Sequence, residues 1–348
     1  MTIHVNPIAD HLLGAALLFL TIRWVKFCYD SHSSTPLFTY VFALSLPATL
    51  FFILFTKKIF GVAGRAFSAT RTHKSIPPKD RDPLADEIVN AKWEDQSWQL
   101  VIHTLMTIWE YRLLSTTLGQ LWWADPANAV SCPGTNPNAE LEVLQIVQLS
   151  IWIVTGFSCK FFEERRKDYI EMMLHHCVTV YLISENFMTE QYPFAVLVLF
   201  IHDSSDIIID LLKMSNYMKT EESHGFYFTE IMFFASTFCV WPYFRLYVYP
   251  RYIIYGFYIT TTRCGEPTGT AGTIALSILV VLHVYWWCLF IRIFYRSIVK
   301  GEGSGGEIGD DDYEGVAFTQ TKTEKKKKKI RTPAPAARIT RSATKKKN

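Results

Sequence analysis

Two apolar segments of the sequence carry residues that can do acid–base chemistry. The first, MMLHHCVTVYL, contains His175, His176 and, one helical turn after His175, Thr179. The second, VLVLFIHDSSDIIIDLL, carries one histidine and three carboxylates: His202, Asp203, Asp206 and Asp210. In a helix the three aspartates, spaced i, i+3 and i+7, share one face. Because a charge at the centre of a bilayer costs roughly 2.5–3.5 kcal/mol, that face must line a protein interior or a water-accessible cavity. For Asp210, simple pairing with Lys213 is the alternative.

This set of residues favours metal-free acid–base or nucleophilic catalysis. A neutral imidazole can deprotonate an ammonium group or attack an activated acyl group. A buried carboxylate that accepts the Nδ1–H of the histidine would fix its tautomer. Histidine and aspartate are then sufficient to make an amide from an amine and a thioester. A single zinc on His175, His202 and an aspartate is the metal alternative. The sequence has no HxxxH or HxxHH cluster, and we expect no metal.

The composition places these segments in a multi-span membrane protein. Hydrophobic residues make up 49% of the 348 residues, charged residues only 19%, and the mean hydropathy is +0.12. A weak segment, Leu12–Cys28, contains Arg23 and Lys26, and we expect it to lie at the membrane interface rather than to span. Hydropathy predicts spans at Leu37–Thr56, Ser97–Trp123, Leu141–Phe162, Met172–Met188, Pro193–Leu212, Phe228–Tyr249 and Thr273–Phe294.

Basic residues flank alternate spans on one side, which the positive-inside rule assigns to the cytosol. The basic connections are KKIFGVAGRAF, FFEERRKDY, LLKMSNYMK and RIFYRSIVK. The C-terminal tail follows the last of them, so we expect it to be cytosolic. The tail has few large apolar residues and is predicted to be disordered. Cys132 and Cys264 fall in loops on the opposite side, where they either form a disulfide or stay free.

The two polar blocks resemble the Lag motif of ceramide synthases, within the TLC-domain family. The motif stretches are RRKDYIEMMLHHCVTVYL and VLVLFIHDSSDIIIDLLKMSNYM. The stretches AKWEDQSWQLVIHTLMTIWEY and LHVYWWCLFIRIFYRSIVKG support the resemblance at the two ends of the domain. It covers about Lys92–Lys300. One departure is Asp210, which stands where the family has a glutamate; another is SENFMTEQYPFA, which replaces the family's usual elements between the blocks.

The resemblance implies an all-α, polytopic membrane protein. We expect a six-helix TLC-type transmembrane domain at residues 92–300. It would be preceded by one or two hydrophobic helices within residues 1–56 and a cytosolic linker at 57–91, and followed by a disordered basic tail at 301–348.

The resemblance also implies an enzyme that transfers a fatty acyl group from acyl-CoA to the amine of a sphingoid base, with no further cofactor. The alternative is a non-catalytic membrane protein that senses or chaperones lipids. Expected partners are acyl-CoA, a sphingoid base and membrane lipids, with a homodimer or a small regulatory membrane subunit compatible and no nucleic acid. Lys345 and Lys346 resemble a dilysine retrieval signal of the endoplasmic reticulum; simple attraction of the basic tail to anionic lipid is the alternative.

Roles for individual residues follow from the resemblance by position. His175 and His176 would be the essential catalytic pair, supported by His202, Asp203 and Asp206. In the family, the first histidine is thought to accept the acyl group. A second set is expected to bind substrate: Asp168, Thr179 and Asp210, together with Arg165, Arg166 and Lys167. The basic triplet either meets the phosphates of CoA or only flanks the span.

Overall fold

The computed structural model describes residues 6–31, 36–70, 83–117, 139–162, 168–218, 231–258 and 269–299. These ranges contain eight helices and no strand, which confirms the predicted all-α fold. The helices are α1 (Pro7–Ser31), α2 (Pro36–Thr70), α3 (Pro83–Thr117), α4 (Ala139–Phe161), α5 (Tyr169–Met188), α6 (Tyr192–Met218), α7 (Ile231–Tyr258) and α8 (Gly269–Val299).

The starts of the first three helices are encoded locally. Each begins at a proline, which needs no N–H partner at that position and already has a helical φ. In front of α1, the Asn6 side chain accepts a hydrogen bond from the Ile8 backbone N–H at 3.0 Å. The helix α7 is unusual, because Ala235–Val240 and Pro242–Ile254 are wound as π-helix, a form found frequently at functional sites.

The protein is a multi-pass membrane protein. Among the described residues, α1, α2, α4, α7 and α8 contain stretches long and apolar enough to cross a membrane. The helices α3, α5 and α6 do not meet this criterion, and they carry most of the polar residues discussed below. They are covered by their neighbours: α3 packs along α6, and α5 contacts α1, α4, α6 and α8.

The segment Leu12–Cys28, predicted to lie at the membrane interface, is part of a helix that is long and apolar enough to cross a membrane. This segment lies within α1, which runs beside α5 over the full length of α5. At one end the Tyr169 hydroxyl donates to Asp10 Oδ1 at 2.7 Å, and at the other the rings of Trp24 and Phe187 are 5.2 Å apart. Both cations that suggested an interface have carboxylate partners within the protein: Arg23 pairs with Glu185 at 2.7 Å, and Lys26 pairs with Asp30 at 2.7 Å.

Helices α2 and α3 extend into the segment predicted to be a linker. Helix α2 continues to Thr70 and α3 begins at Pro83, so much of residues 57–91 is helical. The two helices approach closely at Gly64, where an added Cβ would lie 2.6 Å from the Trp93 ring. The division of the chain into domains stays a prediction.

Candidate active site

A cavity of about 230 Å³ lies between α3, α4, α5, α6, α7 and α8. Near the α4–α5 connection it is lined by Cys159, Asp168 and Lys213. From there it reaches His175, seven residues along α5 from Asp168, which is about 10 Å at the rise of a helix. We call this end of the bundle, where α4 ends and α5 begins, the α4–α5 end. The cavity joins it to the predicted catalytic histidines.

Aromatic rings hold the first histidine in place. The His175 ring is buried between two indoles in edge-to-face contact, with centroids 5.1 Å from Trp152 and 5.6 Å from Trp286. Trp286 of α8 is itself fixed, since its Nε1–H donates to Asp168 Oδ2 at 3.0 Å. The neighbouring His176 is also buried and packs on Trp152 at 5.3 Å. Packing, rather than hydrogen bonding, therefore orients this pair.

In the described part of the chain, neither His175 nor His176 forms the predicted hydrogen bond from Nδ1 to a carboxylate; the histidine within hydrogen-bond distance of one is His103, next to Asp210. The Nδ1 atoms of both His175 and His176 are buried there without a hydrogen-bond partner. The carboxylates of Asp203 and Asp206 are bonded to Gln148 and Arg245 instead. A triad-like arrangement of the serine hydrolase type is thus not formed, although the histidines and both aspartates line the same cavity.

Asp203 belongs to a polar junction of three helices. The Nε2 atom of Gln148, on α4, donates to Asp203 Oδ2 at 2.8 Å and to Glu110 Oε1, on α3, at 2.7 Å. All three side chains are buried. One amide nitrogen therefore uses both of its hydrogens to bridge two carboxyl groups. Asp203 and Gln148 line the cavity, and Glu110 lies behind them.

Asp210 is a structural partner of α3. It is buried, accepts a hydrogen bond from Gln96 Nε2 and lies 2.7 Å from His103 Nδ1. The alternative, simple pairing of Asp210 with Lys213, stays open beside these contacts. Asp210 and His103 both line the cavity, so a role in substrate binding remains a prediction.

His202 and Thr179 lie deeper than the main cavity. His202 Nδ1 lies 2.7 Å from the Val198 backbone oxygen and Nε2 lies 3.1 Å from Nε2 of His283. Both nitrogens are thus engaged, so the zinc alternative, which needs one of them free, does not fit this geometry. Thr179 lines a second cavity of about 20 Å³, and His202 and Trp152 lie in the same wall. The Oγ1 atom of Thr179 is buried without a hydrogen-bond partner in the described residues.

Several predicted site residues lie outside the described part of the chain. These are Arg165, Arg166 and Lys167, and the cysteines Cys132 and Cys264. Their roles stay predictions, as does metal-free catalysis.

The sequence was compared with models of known protein families. The family model described as the TLC domain matches residues 92–292, more than half of the sequence. The chain belongs to the TLC-domain family. The resemblance found in the sequence is thereby confirmed.

Named relatives narrow the similarity within the TLC-domain family. The chain is 26% identical over 255 residues to ceramide synthase LOH1 of Arabidopsis thaliana, covering 69% of this chain and 77% of that protein. It is 29% identical over 182 residues to ceramide synthase LOH2 of the same plant, covering 49% of this chain and 59% of that protein. With human ceramide synthase 4 it shares 33% identity over 143 residues, covering 40% of this chain and 35% of the relative.

Sequence reasoning missed several residues of this TLC-domain site. The structure adds polar groups from α3, α4, α7 and α8: His103, Glu110, Gln148, Arg245 and His283. Each lies in an apolar stretch, such as WPYFRLYV for Arg245 and VVLHVYWW for His283. The rule that singled out the Lag histidines, a polar residue inside an apolar segment, applies equally to these positions.

Proposed function

We propose that this chain is a ceramide synthase, which transfers a fatty acyl group from acyl-CoA to the amine of a sphingoid base. Membership of the TLC-domain family and similarity to proteins named ceramide synthases support this function. The observation that carries it is the position of His175 at the wall of a cavity that extends from the α4–α5 end and is lined by aromatic rings and carboxylates.

The bond changes required are few. The amine nitrogen attacks the thioester carbonyl, the C–N bond forms, the C–S bond breaks and the CoA thiolate leaves, taking up one proton. The sphingoid base enters with its amine protonated, as an ammonium ion. It must lose one proton before the nitrogen can attack. His175 can serve as the general base for direct attack, or first accept the acyl group as an acyl-imidazole that the amine then opens. Both routes fit the same imidazole.

The cavity walls suit an amphiphilic substrate pair. Trp98, Trp241 and Phe290 provide apolar surface for hydrocarbon, and Asp203 gives the wall a negative group that attracts an ammonium ion. Lys213 lies in the wall near the α4–α5 end, where the predicted basic triplet Arg165, Arg166 and Lys167 follows α4 in the sequence. We propose that the acyl-CoA head group binds at this end.

The basic residues at the α4–α5 end also predict the orientation of the protein in the membrane. Basic residues at the α4–α5 connection favour a cytosolic location for that end. Since α1 runs parallel to α5 and the described helices alternate in direction, both chain termini then lie in the cytosol. We propose that the protein resides in the endoplasmic reticulum with this orientation. Protease protection of N- and C-terminal tags in sealed microsomes tests it: cleavage of both tags is expected, and protection of either one contradicts it.

Activity is tested with purified full-length protein in lipid nanodiscs. Sphinganine and acyl-CoA chains from C16 to C26 are supplied, and dihydroceramide and free CoA are measured. We expect the two products in equal amounts with at least one chain length, and no product from a His175→Ala variant. Absence of product with every chain length contradicts the proposal. Saturable binding of the base or acyl-CoA without turnover would then favour the lipid-sensing alternative.

A further inference from the structure

A guanidinium group is buried behind the acidic face of α6. Arg245 of α7 is 2% exposed. Its Nε donates to Ser205 Oγ at 2.7 Å, and its Nη2 donates to the His202 backbone oxygen at 3.0 Å and to Asp206 Oδ1 at 2.6 Å. The three acceptors lie within five consecutive residues of α6. The planar guanidinium of Arg245 therefore forms hydrogen bonds along a little more than one turn of α6.

The adjacent histidine is held from a second helix. The Val198 carbonyl is an acceptor, so in the neutral His202 ring Nδ1 carries the proton, and Nε2 lies 3.1 Å from Nε2 of His283 on α8. The same nitrogen of His283 lies 3.2 Å from Arg245 Nη1. Helix α6 is thus tied to α7 and α8 at the level of Asp206.

The pairing with Arg245 redefines what Asp206 can do. Both residues line the cavity, and the guanidinium supplies the charge that balances the Asp206 carboxylate. The carboxylate is therefore directed to α7 rather than to an imidazole of α5. Its place in the cavity wall depends on Arg245, whereas the ring of His175 is placed independently by two tryptophans.

We propose that Arg245 is a positioning residue of the acyl-transfer site, which holds Asp206 and His202 of α6 at a fixed distance from His175. The rings of His175 and His202 have centroids 6.4 Å apart across the two helices. Without Arg245, the charge of Asp206 loses its partner and the α6 face loses three hydrogen bonds. The consequence is a site in which substrates bind but seldom reach the reactive geometry. The kinetic form of this inference rests on the proposed ceramide synthase activity.

The kinetic test compares Arg245→Met, Asp206→Asn and the double variant in the dihydroceramide assay. We expect each single change to lower kcat by about 100-fold, the order of loss that misplacement by 1 Å can cause. The KM values for acyl-CoA and sphinganine should stay within about threefold of the wild-type values. The reason is that these changes do not remove contacts that bind the substrate equally in the ground state and the transition state. The double variant should be little worse than either single variant, since both break one pair. Losses that multiply, or a change mainly in KM, would overturn the proposal.

A conservative variant and a distant one serve as controls. Arg245→Lys keeps the charge but cannot reach Asp206, Ser205 and the His202 oxygen together, so it should recover part of the lost turnover. Arg23→Met breaks an ion pair outside the cavity, at the far end of α1 and α5, and should leave kcat unchanged. Failure of Arg245→Lys to exceed Arg245→Met would argue against the charge pairing.

A readout independent of activity separates this inference from the proposed function. Thermal unfolding in nanodiscs of the wild type, Arg245→Met, Asp206→Asn and the double variant forms a double-mutant cycle for Arg245 and Asp206. We expect the destabilisation of the double variant to be smaller than the sum of the single ones. Additive destabilisation would reject the pairing even in an active enzyme. If the wild type makes no dihydroceramide, the proposed function fails, and this cycle alone decides whether Arg245 positions α6.

Discussion

The outer helices α1 and α2 differ from the inner helices α3, α5 and α6 in how they use polar groups. On α1 and α2, charged side chains form single ion pairs with a neighbouring helix, as with Arg23, which pairs with Glu185, and Lys57, which pairs with Asp95. The lipid-facing surface of α2 is apolar and includes Phe51, Leu54 and Phe55. On α3 and α6, buried polar groups bind one another across helices, as Asp210 does with Gln96 and His103. Helices α1 and α2 thus lie outside the cavity, and α3, α5 and α6 form it together with α4, α7 and α8.

The largest expected effect separates the catalytic histidine from a histidine of the outer layer. Replacing His175 by Ala should lower kcat by about 10³-fold or more, the order seen when the central base of a catalytic triad is lost. Replacing His11, exposed on α1, should leave activity unchanged. Turnover assays and thermal unfolding of both variants measure this. Equal losses of kcat in the two variants would contradict the catalytic role given to His175.

The two catalytic routes can be separated with the same variant. Intact-protein mass spectrometry after incubation with acyl-CoA alone should show one added acyl group if an acyl-imidazole forms, and none for His175→Ala. No added mass in an active wild type would leave His175 as general base.

A smaller effect is expected at the junction of the inner helices. Gln148→Leu leaves Glu110 and Asp203 without their shared donor, and should lower the free energy of unfolding by about 2–3 kcal/mol. The matched control is Gln145→Leu, one turn earlier on α4. Gln145 donates only to the Tyr192 backbone oxygen at 3.2 Å, so the expected loss is about 1 kcal/mol. Chemical denaturation of both variants measures the difference, and equal losses would contradict the role given to the bridge.

The smallest effect belongs to the outer layer. Arg23→Met removes the ion pair with Glu185, whose side chains are 37% and 26% exposed. For a partly exposed pair we expect a loss of stability below about 1 kcal/mol. A loss as large as that of Gln148→Leu would show that α1 is energetically part of the inner group.

The sequence predicts part of this arrangement for identifiable reasons. The spacing of Asp203, Asp206 and Asp210 correctly predicts a shared face on the cavity, because helical periodicity is a local property. The partners of that face cannot be predicted in this way. Arg245 is 39 residues from Asp206 in the chain, and Glu110 and Asp203 lie on different helices and share Gln148 as a donor. Such pairings depend on how the helices pack. The same holds for Arg23 in Leu12–Cys28, whose partner Glu185 is 162 residues away.

The contacts of α1 involve residues that are synthesised much later than α1 itself. Asp10 binds Lys160 and Tyr169, which lie 150 and 159 residues later in the chain. At about 5–20 residues per second, the ribosome needs roughly 8–30 s to deliver those partners after Asp10 has been made. During that interval Asp10 lacks Lys160 and Tyr169, and Arg23 lacks Glu185, because these residues have not been made. The packing of α1 against α4 and α5 is therefore completed only after those helices have been made.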